Sequence, residues 1–322
     1  MNSRFWHIVL NPRAGRNRAS KRRGELEKLL DAAKLDWRIL DWRITETSRG
    51  GEATEIARRI ISESGKDFGL AAAGGDGTLG EVLNGVMQSE KEIPLAVLPM
   101  GTGNDFARAL RISNLRDAVD NMRNGVATRI DIGEVKTDSH RQFFLNIAGC
   151  GLDAVVAKRI NDDAAKRGFR LRGTPAYIAT IVKTLGDFRG AKLSLELDGE
   201  KIETRAMLCA IANARSYGGG MRVAPRALLD DGFFDICLVG DATRIEFLRA
   251  FPSVFKGTHE SHPKVQTWRA KNVRIESAVP LPVLADGELV GTTPLEITIL
   301  PRAATMMIPA TSGAIVETAR RK

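Results

Sequence analysis

The chain has 322 residues, 43% of them hydrophobic and 27% charged, a globular composition that excludes a disordered, collagen-like or fibrous polypeptide and, at roughly 100–200 residues per domain, argues for two domains. No window approaches the roughly 18–20 consecutive apolar residues of a membrane-spanning helix, and the short apolar stretch Ile8–Leu10 runs straight into a polar turn, so no secretory signal is read and a cytoplasmic protein is expected. Lysine and arginine total 48 against 39 aspartate and glutamate, a formal net charge of +9, which implies a polyanionic partner: nucleic acid, an anionic membrane or a phosphorylated ligand.

In chain order, His7–Leu10 reads as a strand, Arg18–Ala33 as a helix, Trp37–Thr45 as a second strand, residues 52–64 as a helix, and Phe68–Ala73 and Leu95–Leu98 as two short buried strands. Apolar runs that alternate with helical patterns mark βαβ units and an open parallel sheet, whose ligands bind outside the carboxyl ends of the strands. After residue 127 the texture changes to period-two alternation, in Arg129–Lys136, Phe143–Ala148, Lys192–Leu197, Thr204–Ala212, Phe233–Val239 and Leu295–Leu300. This predicts a β-rich second domain with at least one helix, near Pro175–Leu185. Asp198-Gly199 and Asp286-Gly287 each lie between apolar alternations and signal hairpins. No flexible linker separates the halves, so packed domains are expected. Cys150, Cys209 and Cys237 lie far apart in apolar surroundings and read as buried thiols.

The segment Phe68–Asn84 combines a strand, a glycine turn and a helix. Gly74, Gly75 and Gly77 let the backbone approach a ligand, and the helix that follows directs free N–H groups at it, as a phosphate cradle does. A carboxylate beside phosphates is repulsive unless it binds a metal, takes a proton or holds a hydroxyl, so Asp76 either has such a role or only makes the turn and caps a helix. Leu95–Arg108 repeats the arrangement. Thr102 supplies a hydroxyl there, Asn104 or Asp105 is placed to cap a helix starting at Phe106, and Asp105 alternatively faces the site. A third loop, Asn11-Pro12-Arg13-Ala14-Gly15, follows the first strand and leads into a basic cluster, Arg13, Arg16, Arg18, Lys21, Arg22 and Arg23, suited to polyphosphate. A second basic cluster is Lys166, Arg167, Arg170 and Arg172, suited to an anionic leaflet.

The P-loop, the dinucleotide fingerprint and the protein-kinase motifs are absent. His259 and His262 have an HxxH spacing but no acid at metal spacing, and read as part of a surface loop. Tyr217–Asp235 holds glycines and the acids Asp230 and Asp231, equally an Mg²⁺ site or an ordinary Asp-Asp-Gly turn before a strand.

Taken together, NPRAG, GGDGTLGEVLNG, LPMGTGNDFAR, GGGMRVAPRALLDDGFFD and ADGE resemble the diacylglycerol kinase catalytic-domain family, in its bacterial lipid-kinase branch of the YegS and DgkB type, related to sphingosine and ceramide kinases. The likeness covers almost the whole chain. It implies an α/β ATP-binding domain over residues 1–127 plus a returning segment 302–322, a β-sandwich-like lipid-acceptor domain over 128–301, and an active site in the interdomain cleft. It further implies that Asn11, Pro12, Arg13, Ala14, Gly15, Thr47, Gly74, Gly75, Asp76, Gly77, Thr78, Leu79, Gly80 and Thr102 line ATP. Asp231 would anchor Mg²⁺ beside the carbonyls of Leu228 and Phe233, and Glu288 would accept the proton of a lipid hydroxyl while Asp76 and Asp105 organise metal or water. Gly80 departs from the asparagine common there. Glu200 follows an Asp-Gly just as Glu288 does, and only the resemblance separates them.

The expected activity is transfer of the γ-phosphoryl group of ATP to a hydroxyl of a diacylglycerol-like lipid, by a peripheral protein at the inner face of an anionic membrane. Two other readings stand beside it: an NAD kinase-like GGDGT enzyme with a soluble acceptor, and a basic nucleic-acid-binding protein. The second leaves the glycine loops unexplained, and 6% aromatic residues are few for base stacking, so no nucleic-acid partner is expected. The identity of the lipid and the oligomeric state, a homodimer included, stay open.

Overall fold

A computed structural model describes residues 5–34, 41–65, 67–167 and 174–310. The chain divides into two compact units: one runs to Ile132 and includes Leu229–Asp231 and the chain from Pro301 on, and the other comprises Gly133–Leu228 and Gly232–Leu300.

The first unit begins with β1 (Phe5–Leu10), α1 (Ala14–Lys34), β2 (Asp41–Glu46), α2 (Glu52–Glu63), β3 (Phe68–Gly74), α3 (Asp76–Val86), β4 (Pro94–Pro99), α4 (Asp105–Ala109) and α5 (Leu115–Asn124). Its strands pair in parallel in the order β2, β1, β3, β4, and Thr305 and Met306 of the returning chain pair in parallel with Pro94 and Leu95. All seven residues of β3 are buried, because a parallel strand covered on both faces has no polar side to show. In α2 the positions Ala53, Ile56, Ala57, Ile60 and Ile61 bury one stripe at helical spacing. The strand order reverses at β1, so the crevice between the loops after β1 and β3 is the expected ligand position of such a sheet.

The second unit follows β5 (Val126–Thr137), a strand begun in the first, with β6 (Arg141–Phe144), β7 (Ile147–Gly151), α6 (Leu152–Arg167), α7 (Thr174–Asp187), β8 (Ala191–Leu197), β9 (Glu200–Ala212), β10 (Phe234–Gly240), α8 (Arg244–Lys256), β11 (Val265–Ala270), β12 (Asn272–Ser277), β13 (Pro282–Ala285), β14 (Glu288–Thr292) and β15 (Leu295–Ile308), the last returning to the first unit. Its strands are antiparallel, in the order β14, β13, β7, β9, β8, β12, β15, with β10 on β9 and β11 on β10. Alternate residues such as Leu193, Leu195, Ile236, Leu238, Val273 and Ile275 fill its core, where the Phe144 and Phe234 rings stack at 5.8 Å.

Several expectations change. The helix expected from Arg18 begins at Ala14, so Ala14 and Gly15 already belong to it. Phe143–Ala148 is two strands rather than one, because the N–H groups of Leu145 and Asn146 turn to the Asp286 carboxylate, at 2.7 and 2.8 Å. Residues 229–231, placed in the second domain by the sequence, join the first: Asp131 N–H donates to Leu229 O at 2.6 Å, and the Asp131 carboxylate accepts from Arg302 N–H at 2.7 Å. His259 is not on a surface loop but buried, with Nε2 3.1 Å from Val223 O and 3.7 Å from Cys237 Sγ. The three cysteines are free and buried, and burial pushes the Cys150 and Cys237 thiols up to about 12, so neither is a thiolate nucleophile. The strand expected from Trp37 is described only from Asp41. In the second basic cluster residues 168–173 and the side chains of Lys166 and Arg167 lie outside the described residues, as do the Arg16 side chain and residues 311–322.

Candidate active site

In the first unit the loops after β1, β3 and β4 meet at the carboxyl ends of their strands. Asn11 N–H donates to Ala73 O at 2.9 Å, and Met100 and Gly101 N–H both donate to Gly74 O, at 2.8 and 2.9 Å. At Gly101 the contact is backbone on backbone, which is why glycine is needed: a Cβ there would lie 2.3 Å from Gly75 Cα, while one on Gly74 would lie 2.3 Å from the Thr78 side-chain Oγ1. The buried Thr78 hydroxyl accepts from Asn11 Nδ2 at 3.1 Å, bracing the first loop against α3. Thr47, also buried, donates its N–H to Leu10 O at 2.9 Å and ties in the end of β2.

The first intrahelical bond of α3 is Leu79 N–H to Gly75 O, 3.1 Å, so the N–H groups of Asp76, Gly77 and Thr78 have no partner within the helix. Together with the helix dipole they form an anion-binding end. Gly75, Asp76 and Gly77 are half-buried at this mouth, Thr102 and Arg13 are exposed beside it, and Leu79 and Gly80 are buried in the helix.

Asp76 is held in an unexpected way. Its Oδ2 accepts from Asp105 N–H and its Oδ1 from Phe106 N–H, both at 3.0 Å, so it caps α4 rather than its own helix. Asn104 therefore does not cap α4, which starts at Asp105 instead of Phe106; its side chain bonds Gly101 N–H and O at 2.9 and 3.2 Å. Asp105 is buried and pairs with Arg108 Nη1 at 2.5 Å, while Arg108 Nη2 holds Gly103 O at 2.8 Å. Glu81 uses the same device for α2, accepting from Gly51 and Ala53 N–H at 3.0 and 3.1 Å. The basic run is partly committed: Arg22 pairs with Glu25, and Arg23 with Glu27 and Glu46. Arg13 and Arg18 are exposed.

In the second unit Glu288 is exposed at the start of β14, directly after the Asp286-Gly287 turn, where φ is 46° and 86°. Leu228, Asp231 and Phe233 share the loop before β10, and the Phe233 ring lies under Arg269 at 4.6 Å and Lys271 at 4.9 Å. No group of three His, Cys, Asp or Glu able to hold a metal occurs among the described residues. One carboxylate and two backbone carbonyls are nonetheless an all-oxygen donor set of the kind a hard divalent cation accepts, with water completing the shell.

The unit also holds an apolar pocket of about 90 Å³, partly open to solvent, lined by Leu152, Ile181, Leu208, Met221, Phe247 and Phe251 among others. Its polar corner is Asp153, which accepts from Tyr217 OH at 2.9 Å and whose carboxyl is raised by burial. Gly218, Gly219 and Gly220, all at positive φ, close the Tyr217–Met221 bridge that carries the tyrosine to this corner. The glycine run had a legible turn signal, but its use did not, because the lining comes from seven separate segments.

An α/β unit with converging glycine loops at a helix N-terminus, joined to an antiparallel unit with an apolar cavity, defines a nucleotide-using phosphotransferase. The family model described as diacylglycerol kinase catalytic domain matches residues 6–135, and the YegS C-terminal NAD kinase beta sandwich-like domain matches residues 146–308. The chain is 31% identical over 305 residues to the diacylglycerol kinase of Bacillus subtilis (strain 168), covering 94% of this chain and 95% of that protein. It is 34% identical over 267 residues to the diacylglycerol kinase of Mycobacterium tuberculosis (strain ATCC 25618 / H37Rv), covering 81% and 83%. A solved structure of a candidate diacylglycerol kinase from Bacillus anthracis str. Sterne superposes with a TM-score of 0.76 at 26% identity, covering 96% of this chain and 98% of that one. The chain belongs to the diacylglycerol kinase family: it is a lipid kinase, a phosphotransferase with a hydroxyl acceptor, and the family implies ATP as donor. No helix among the described residues is long and apolar enough to cross a membrane.

Proposed function

We propose that the protein transfers the γ-phosphoryl group of ATP to the free hydroxyl of a diacylglycerol-like lipid at an anionic membrane surface. The observation that carries the nucleotide site is the backbone contact of Gly75 with Gly101, which leaves the N-terminal amides of α3 at the mouth of three loops. Polyphosphate accepts from these amides and from the Asn11–Gly15 loop, with Arg13 adding charge at the rim. Asp76 positions: by holding the Asp105 and Phe106 amides it fixes the β4 loop against the β3 loop, and Asp105 in turn orients Arg108. Asp231 with the Leu228 and Phe233 carbonyls would hold Mg²⁺. When bound, that ion supplies positive charge to offset the phosphates.

Glu288 takes the proton of the acceptor hydroxyl as the oxygen forms its bond to the terminal phosphorus and ADP departs with the bridging oxygen's electron pair. The end of an acyl chain enters the apolar pocket, whose lining suits hydrocarbon. Labelled ATP, offered with NAD and with a panel of diacylglycerol, monoacylglycerol, phosphatidylglycerol and sphingoid bases in mixed micelles, tests the reading. Label in a lipid phosphate is expected; label in NAD and in no lipid overturns it.

A further inference from the structure

Helix α8 is the anomaly of the second unit. It is well terminated, with a capping box between Thr243 and Glu246 and Gly257 at φ 71° after its end, yet none of its residues is buried. One side, Phe247, Ala250, Phe251 and Val254, lines the apolar cavity. The opposite side, at positions 245, 248, 249, 252, 255 and 256, is a continuous exposed stripe of Ile, Leu, Arg, Pro, Phe and Lys. Ile245, Leu248 and Phe255 are 62%, 41% and 38% exposed, and they are three of the six large exposed hydrophobics among the described residues. A helix that covers a core should turn charge to the solvent; this one turns hydrocarbon and cations, and no acid. The acid within it, Glu246, is occupied at the cap, accepting from Thr243 N–H at 2.7 Å.

The two sides are connected. Phe255 meets Phe251 edge-on at 5.8 Å, and Phe251 stacks with Phe247 at 6.1 Å, so aromatic surface runs from the exposed stripe into the cavity. Apolar residues with flanking Arg249 and Lys256 are the composition of a helix that lies in a lipid headgroup layer, and the cations match an anionic leaflet. We infer that the outer face of α8 is the surface by which this kinase docks on an anionic bilayer, placing the cavity against the lipid it draws from. This rests on the lipid-acceptor reading above.

Co-sedimentation with vesicles tests it directly, without reference to turnover. Wild type is expected to partition onto vesicles of equal parts phosphatidylglycerol and phosphatidylcholine and weakly onto phosphatidylcholine alone. Ile245→Glu with Leu248→Glu should lower the partition coefficient by about tenfold or more, the scale of losing two apolar anchors. Arg249→Glu with Lys256→Glu should lower it on anionic vesicles only. Val279→Glu, a single change of the same kind at a residue 70% exposed elsewhere in the unit, should leave it unchanged, against the intermediate loss expected of Leu248→Glu alone. Turnover of a short-chain diacylglycerol supplied as monomers should stay within about twofold in every variant, because solvent-facing substitutions leave the fold intact; should the double variant unfold, Leu248→Gln alone carries the test. Unchanged vesicle partition of the α8 variants overturns the proposal. So does unchanged partition accompanied by a loss of dimer in light scattering, which would make this face a contact between copies. If wild type phosphorylates no lipid in either format while vesicle binding still depends on α8, the acceptor reading falls and the docking surface stands.

Discussion

Two hairpins in the second unit share almost every local feature. Both turn on Asp-Gly with both residues at positive φ, 49° and 94° in one and 46° and 86° in the other, and both place a glutamate, Glu200 or Glu288, at the next position. Both use the turn aspartate as an anchor. Asp198 accepts from Lys271 and Asn272 N–H at 3.0 and 2.8 Å, and Asp286 from Leu145 and Asn146 N–H at 2.7 and 2.8 Å. What differs is the neighbour. Asp198 ties down an exposed turn between β11 and β12. Asp286 ties down the break between β6 and β7, where Asn213 Nδ2 donates to Leu145 O at 2.8 Å and the buried Asn146 Oδ1 has no partner. The same hairpin is thus mounted once on a surface corner and once on a buried polar platform, and the role proposed above for Glu288 draws on that firmer mounting.

The largest expected effect separates the two glutamates. Glu288→Gln should lower kcat by about 10²–10⁴-fold, the range for loss of a general base, with the KM for ATP within about twofold; Glu200→Gln should stay within about twofold in both. Equal loss in the two variants, measured by steady-state kinetics, would remove the distinction. Next is the anchor of the nucleotide loops. Asp76→Ala leaves two amides of α4 without their acceptor and should raise the KM for ATP by about tenfold, with a stability loss of about 1–3 kcal/mol in urea unfolding. Asp286→Ala should cost about 1–3 kcal/mol and lower kcat through Glu288, whereas Asp198→Ala should cost about 1 kcal/mol and leave kcat alone.

The smallest effect concerns pH. Burial pushes the Asp198 carboxyl up, but the Lys271 and Asn272 donors outweigh it and hold it below the ordinary aspartate value. A carboxyl depressed in the folded state stabilises the protein above the unfolded pKa, about 3.9, and that contribution is lost as pH falls through the lower folded value. Wild type and Asp198→Asn should therefore converge in thermal unfolding midpoint below about pH 4 and diverge slightly above it. A constant gap across this range would show that the bonds do not depend on ionisation.

Much of this was readable in the chain because its causes are local. β3 and β4 are short apolar runs bounded by glycine, so their place in a buried parallel sheet followed from composition. Asp-Gly between alternating residues requires positive φ at two successive positions, so both hairpins were legible. The glycines of the nucleotide loops were legible as close approaches, though not what they approach: Gly101 meets Gly75, a neighbour 26 positions away in the chain.

Tertiary structure decided the partners. No spacing rule predicts that Asp76 caps α4 or that Glu81 caps α2, since an unpaired N–H donates to any carboxylate that packing brings within reach. It also decided that Leu229–Asp231 joins the first unit, through two hydrogen bonds of Asp131 to distant chain. Helix α8 shows the limit most clearly. It was not singled out from the sequence, and only packing reveals that one of its apolar sides borders a cavity while the other is exposed among the described residues. The sequence by itself determined the buried strands of the first unit, the two Asp-Gly turns and the glycine loops, because those choices depend on backbone sterics and side-chain period within a few residues. Which carboxylate is an anchor, which glutamate stands on a rigid platform and which apolar face is left open were settled only by the folded chain, because each depends on groups brought together from distant positions.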